Sequence, residues 1–240
     1  MTILAIDSSG LVASVAIMTE ETMLAEYTVN YKKTHSQTLL PMINEVVTML
    51  DIDLKTIDAI AIAKGPGSFT GLRIGSATAK GLGLALDKPI IEIPTLDALA
   101  YNIYGTDNLI CPLMDARRNQ VYTGIYTIEN DIFTTIKEQC AVELPEIIEE
   151  INNIGKKVVF LGDGVDAYKK QLEELVRVPY VFAPSHVAKQ RAGAVGILAF
   201  SYLKDNKIKS AVEHVPTYLR LSQAERELAE KQKKNDEISS

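Results

Sequence analysis

The chain has no tryptophan, two cysteines and three histidines, and each shortage excludes a class of protein. Cys111 and Cys140 form no CxxC pair, so the sequence reads as neither a disulfide scaffold nor a zinc module. No two of His35, His186 and His214 stand at i, i+3 or i, i+4, so no metal-ligand cluster is visible. Positive charge is also short. Lys and Arg total 25 against 31 Asp and Glu, giving a formal charge of −6. The deficit is concentrated in residues 1–106, with 7 basic and 11 acidic groups; residues 107–222 hold 14 and 15, and 223–240 hold 4 and 5. No segment is basic enough for a stand-alone nucleic-acid binder. No apolar run approaches the ~18 residues of a membrane span. The N-terminus lacks the basic stretch of a signal peptide and Asp7 interrupts it, so a cytoplasmic protein is expected.

At 240 residues the chain can bury a large core without a metal or disulfide staple. Hydrophobic patterning predicts strands at 2–7, 11–18 and 22–30, a helix at 36–50 containing Pro41, a strand at 58–63 and a helix at 69–86. A strand at 89–93 and a helix at 96–104 capped by Thr95 follow. From 107 the order repeats: strands at 108–114, 120–127 and 131–141, a helix at 144–153, a strand at 157–161 and a helix at 165–176. The rest is predicted helical from 186 to 204 behind an N-cap at Ser185, extended at 215–220 and helical again at 222–235. Two βββαβα halves place Asp7 and Asp115 at equivalent strand ends. Duplication is the simplest account, with units at 1–106 and 107–222 and a charged tail at 223–240.

Two such halves around a cleft match the actin-like (ASKHA) α/β architecture. There the first hairpin of each half grips phosphates, which needs an Asp followed by Gly and small hydroxyl residues. Asp7-Ser8-Ser9-Gly10 is partly adequate. Asp115-Ala116-Arg117-Arg118 has no glycine and two bulky side chains, so a degraded phosphate pinch is expected. Gly162 and Gly164, after a strand and before a helix, are candidates for an adenosine contact or simply for a tight turn. Cys111 sits in an apolar run and reads as a small hydrophobe.

The segment Lys64–Gly75 (KGPGSFTGLRIG) is the most distinctive. It lacks the Gly-Lys-Ser/Thr of a Walker A loop, the spacing of a dinucleotide turn and the GxSxG of a nucleophile elbow. In the helix behind it, Gly71, Gly75, Ala79 and Gly83 recur every fourth residue, with Ala77, Gly81 and Ala85 as a second row. Interior helix glycines each cost roughly 1 kcal/mol relative to alanine, which something packed very close must offset. Helix 36–50 is apolar on more than one side. A partner surface is therefore expected on Leu39, Met42, Ile43, Val46, Gly71, Leu72, Gly75, Thr78, Ala79 and Leu82, with packing of the two helices on each other as the alternative.

These segments resemble the TsaB (YeaZ) family of tRNA threonylcarbamoyladenosine (t6A) biosynthesis. The matching stretches are Ile3–Ser9 (ILAIDSS), His35-Ser36 through Leu40-Pro41, Gly65–Gly75, Asp115–Tyr122 (DARRNQVY), Pro216–Arg220 and Ala224-Glu225. The resemblance implies an actin-like fold and a non-catalytic subunit with no cofactor or metal of its own. It implies pairing with a TsaD-type catalytic paralogue through helices 36–50 and 69–86, a homodimer through the same helices when alone, and a TsaE-type ATPase as third member. No strong tRNA binding by this subunit and no membrane association are expected. An active ASKHA kinase or ATPase is the first alternative. A metallopeptidase-like protein comes after it, because the metal or nucleophile set it requires is not found; the missing HxxxH motif of TsaD-type proteins agrees with a scaffold or activator.

Overall fold

The computed structural model describes residues 1–31 and 34–220; the charged helix expected at 222–235 and the unit at 223–240 lie outside the described residues. Two five-stranded sheets form the frame. The first contains β1 (Ile3–Asp7), β2 (Ala13–Met18), β3 (Met23–Val29), β4 (Ala59–Ala63) and β5 (Ile90–Ile93), in the order β3-β2-β1-β4-β5. The second contains β6 (Leu109–Asp115), β7 (Gln120–Glu129), β8 (Ile132–Glu143), β9 (Val158–Leu161) and β10 (Tyr180–Phe182), in the order β10-β9-β6-β7-β8. The orders are equivalent. In each, the first strand pairs antiparallel with its hairpin partner and parallel with the strand that follows the next helix. The duplicated, two-lobed actin-like fold is therefore present, with a fifth strand per sheet. The second sheet's fifth strand, β10, is only three residues long, too short for a periodicity to show.

The connecting helices are α1 (His35–Leu50), α2 (Phe69–Leu86), α3 (Thr95–Tyr101), α4 (Leu144–Ile154), α5 (Asp163–Leu175) and α6 (Ala192–Lys204). α1 and α2 cover one face of the first sheet, where Leu39, Ile43, Val46 and Ala79 meet Leu4, Ile6 and Ile62. α4 and α5 cover the second sheet in the same way. The last helix of each half crosses over. α3 packs Leu96, Leu99 and Ala100 against Ile110, Tyr126 and Leu161 of the second sheet. α6 packs Val195, Ala199 and Phe200 among Ile3, Ala5, Ala16 and Ala61 of the first. The division at 106/107 follows chain order, but packing assigns α6 to the first lobe.

α6 starts at Ala192, not at 186. Its first amides are satisfied by distant strands: the Ala192 N–H donates to Ser14 Oγ at 2.9 Å and the Gly193 N–H to Glu26 Oε1 at 2.9 Å. Arg191 anchors the same Glu26 carboxylate through Nε at 2.9 Å. Ser185 caps nothing, because residues 184–187 close a turn in which the Val187 N–H donates to the Pro184 carbonyl. Thr95 is not a cap either. It is the first residue of α3, and its hydroxyl accepts from the Gly65 N–H at 3.1 Å.

Candidate functional site

The two turns that end β1 and β6 face a cleft of about 730 Å³ between the lobes. In both, the aspartate carboxylate accepts from the backbone N–H two residues on: Asp7 Oδ1 from Ser9 at 2.9 Å and Asp115 Oδ1 from Arg117 at 2.8 Å. This shared local geometry is what the duplication predicts. Their surroundings differ.

The first turn is sealed. Asp7, Ser8 and Ser9 are buried. The Ser9 hydroxyl also donates to Asp7 Oδ1, at 2.6 Å, so both Ser9 donors are used internally. Ser8 Oγ donates to the Gly71 carbonyl at 2.9 Å, and the Ser68 N–H to the Ser9 carbonyl at 2.7 Å. The glycines of the distinctive segment make this contact possible. A Cβ on Gly67 would lie 2.2 Å from the Ser9 carbonyl oxygen, one on Gly71 2.1 Å from that of Ser8, and one on Gly75 2.3 Å from Ser8 Oγ. Burial pushes the Asp7 carboxyl up to about 6, against the lowering effect of its Ser9 hydrogen bonds. The polar side chains of Asp7, Ser8 and Ser9 are thus engaged within the lobe, while Gly10 and Leu11 of the same turn line the cleft.

The glycine row therefore has an intramolecular role, which corrects the expected partner surface. Leu39, Met42, Ile43, Val46, Gly71, Leu72, Gly75 and Ala79 are all buried in their own lobe. Thr78 and Leu82 are half-buried at the border of the outward face. The exposed apolar and small residues of the pair include Leu40 and Met49 on α1, among the polar Gln37, Asn44, Glu45 and Thr48, and Ala77, Gly81, Leu84 and Ala85 on α2, after Thr70 and Arg73. Periodicity located both stripes but not which one met the sheet. A Cβ on Gly81 would meet nothing within 4 Å. The second small-residue row is the free one.

The second turn is open. Arg117, Arg118 and Asn119 are exposed and all take positive φ, at 67°, 55° and 60°. Arg117 Nη1 pairs with Asp115 at 3.3 Å. Gly162 and Gly164 do not present backbone to the cleft. Their would-be Cβ atoms lie 2.0 Å and 2.9 Å from Leu113 of β6, and Gly162 has φ 101°. They are required for close packing at the start of α5. Asp163, pushed upward by burial, and Lys189, paired with Asp166, line the cleft below the turn. Cys111 is buried, and desolvation pushes its thiol up to about 12, so it is no nucleophile. Among the described residues no three His, Cys, Asp or Glu side chains converge as a metal site, and no helix is long and apolar enough to cross a membrane.

The strap 207–220 went unrecognised in the sequence beyond its extended character at 215–220. It starts on β5, where Lys209 and Ile90 exchange backbone hydrogen bonds at 2.8 and 2.9 Å. The Lys80 ammonium donates to the Val212 and His214 carbonyls. Buried His214 bonds Glu92 through Nδ1 at 2.8 Å, and Lys209 pairs with the other Glu92 oxygen at 2.9 Å. Burial alone would raise the Glu92 carboxyl, but the His214 and Lys209 contacts prevail and hold it at about 2. Glu92 is therefore an anchor for the strap. The strap then passes Tyr218, whose ring lies tilted against that of Phe69 with centroids 4.7 Å apart, and ends with Arg220. Arg220 Nη1 donates to the Ala116 and Arg117 carbonyls of the second turn.

Comparison with known proteins accords with this architecture. The model of the family TsaD, tRNA N6-adenosine threonylcarbamoyltransferase, matches residues 22–228. The tRNA threonylcarbamoyladenosine biosynthesis protein TsaB of Bacillus subtilis is 35% identical, over 97% of this chain and 100% of its own. TsaB of Escherichia coli is 31% identical over 97% and 100%. Among solved structures, YeaZ from Pseudomonas aeruginosa superimposes with a TM-score of 0.75 at 26% identity, covering 91% of this chain and 99% of that one. The duplicated fold and these full-length matches agree: the chain belongs to the TsaB (YeaZ) branch of the family that the TsaD model describes, the branch of tRNA threonylcarbamoyladenosine biosynthesis proteins.

Proposed function

We propose that the protein acts in t6A formation as a non-catalytic scaffold and activator. It pairs with a TsaD-type paralogue, with a TsaE-type ATPase as third member, for threonylcarbamoylation of the adenosine at position 37 of ANN-decoding tRNAs. The observation that carries this reading is the contrast within α2. One small-residue row packs directly on Ser8 and Ser9 of the first turn, while the second row, Ala77, Gly81 and Ala85, stands exposed on the same helix as exposed Leu84, with Leu40 exposed on α1. Small residues every fourth position allow a second helix pair to approach closely, so a four-helix contact with the partner fits this face. Thr78 and Leu82 would border it. Docking would activate the partner if it favours the partner's active conformation. The same face would serve the homodimer when the chain is alone.

Gly81→Leu tests this. Its side chain would project into open space, so thermal stability should be kept. Complex formation with a TsaD-type protein should be lost, and with it t6A production in a reconstituted mixture. An intact complex with full t6A output would sink the proposal. Replacements at Gly75 or Ala79 would not serve, because both positions are buried inside the lobe. Calorimetry with Mg-ATP addresses the kinase or ATPase alternative, which predicts tight binding by this chain alone.

A further inference from the structure

The second-lobe turn carries a feature that scaffolding does not explain. Three successive residues that are not glycine, Arg117, Arg118 and Asn119, stand in the left-handed region. A tight hairpin turn calls for positive φ, which the β7–β8 turn meets with Asn130 and Asp131; here two of the three positions carry arginine, which adopts it far less readily than glycine, asparagine or aspartate. Here Asp115 accepts from the Arg117 N–H, and Arg220 donates to the Ala116 and Arg117 carbonyls. Glycine would take this backbone shape without strain. The chain instead has two arginines, projected into solvent at the mouth of the cleft. The Arg117 side chain is 85% exposed, with Asp115 as its ion-pair partner. Arg118 is exposed, and no described residue bonds to it. Arg220 supports the turn and the two guanidinium groups are presented by it. Strained backbone that displays functional groups is a mark of binding sites.

The geometry points to a phosphodiester contact: Arg117 and Arg118 engage the sugar-phosphate backbone of the RNA that the assembled complex acts on. The inference rests on the proposed role in tRNA modification. Arginine forks match phosphate oxygens in pairs, and backbone phosphate contacts set the orientation of an RNA without reading its sequence. On a protein of net charge −6, an exposed guanidinium pair in the turn beside the cleft supplies a local positive charge that would orient a polyanion. Two such contacts are too few for strong binding by this chain alone. They would add to whatever the partner supplies.

The test is a salt titration of unmodified tRNA binding to the complex with a TsaD-type protein, comparing the native chain with Arg117→Ala/Arg118→Ala. Each lost phosphate contact should flatten the slope of log K against log salt by about 0.7–0.9, so the double variant should lose roughly 1.5. Affinity at low salt should fall several-fold, with assembly unchanged. Arg118→Gly supplies a readout that a purely structural role would not give: it should flatten the slope while raising the melting temperature, because it relieves a left-handed residue. Arg118→Lys should restore most of the slope. An unchanged slope in a complex that still assembles overturns the inference. So does loss of assembly with an unchanged slope for the remaining components, which would make the arginines a contact for an acidic protein surface. If the native chain forms no complex, the functional proposal fails separately. The same titration on the chain alone at low salt then decides the inference, and equal weak binding by native chain and double variant refutes it.

Discussion

The turns after β1 and β6 are copies of one motif with opposite fates. Each has an aspartate at a strand end that accepts from the amide two residues on. In the first lobe α2 lies directly on the turn, because Gly67, Gly71 and Gly75 leave no Cβ in the way. In the second lobe the turn stays at the cleft, with arginines in left-handed backbone held by Arg220. The difference shows how one copy of a turn can be covered by a helix, and the other left uncovered, within an unchanged topology. What allows the cover is not the turn sequence alone but what is missing from the helix above.

The largest way to break the comparison is Gly71→Ala. Its Cβ would fall 2.1 Å from the Ser8 carbonyl oxygen, so α2 must lift or the turn must move. Urea unfolding should show a loss of about 3 kcal/mol or more. Gly81→Ala on the exposed row should instead gain up to about 1 kcal/mol. Equal effects at the two positions would refute the assignment of the rows.

A smaller effect is expected at the sealed carboxylate. The Asp7 pKa is raised to about 6 in the folded state, above its ordinary 3.8. Relative to the unfolded chain, the resulting stabilisation is full below about pH 4 and lost as pH rises through 6. Asp97, also raised to about 6 by burial, titrates in the same window. Glu92, held at about 2, works in the opposite sense but only between about 2 and 4.5. The native protein should therefore lose stability between about pH 4 and 6.5 and be flat above that. Asp7→Asn keeps an acceptor for the Ser9 amide and should be about 2 kcal/mol more stable than the native chain at pH 7.5. It should retain only the Asp97 part of the pH dependence. An unchanged pH profile would show that the first turn is not sealed.

The smallest global effect should come from Arg220→Ala, about 1 kcal/mol for lost hydrogen bonds near the surface. Its local effect should be sharper. Hydrogen exchange at Arg117 and Gln120 should accelerate, while Ser8 and Ser9 stay protected.

The element order and the duplication were legible because periodic patterning repeated in register over 108 residues. Four features were not. β10 has three residues. α6 begins where Ser14 and Glu26 supply caps from strands more than 160 residues away, and no local signal could mark that start. The two small-residue rows of α2 were both visible, but they are equivalent in spacing. Only the position of Ser8 and Ser9 in space shows which row is inside. The residues chosen for a partner face were thus, for the most part, the core of the lobe. The role of Arg220 was hidden for the same reason, since its acceptors are the carbonyls of residues 116 and 117.

The exchange of closing helices has a consequence for synthesis. The first sheet is complete once β5 has left the ribosome, yet the helix that covers its second face, α6, ends at Lys204. At ~5–20 residues per second, the intervening stretch takes on the order of ten seconds to translate. Throughout that interval the apolar face made by Ile3, Ala5, Ala16 and Ala61 has no native cover. A nascent chain of this protein should therefore be a chaperone client late in translation, and a stall before residue 192 should leave it aggregation-prone although its first lobe is fully synthesised in strands.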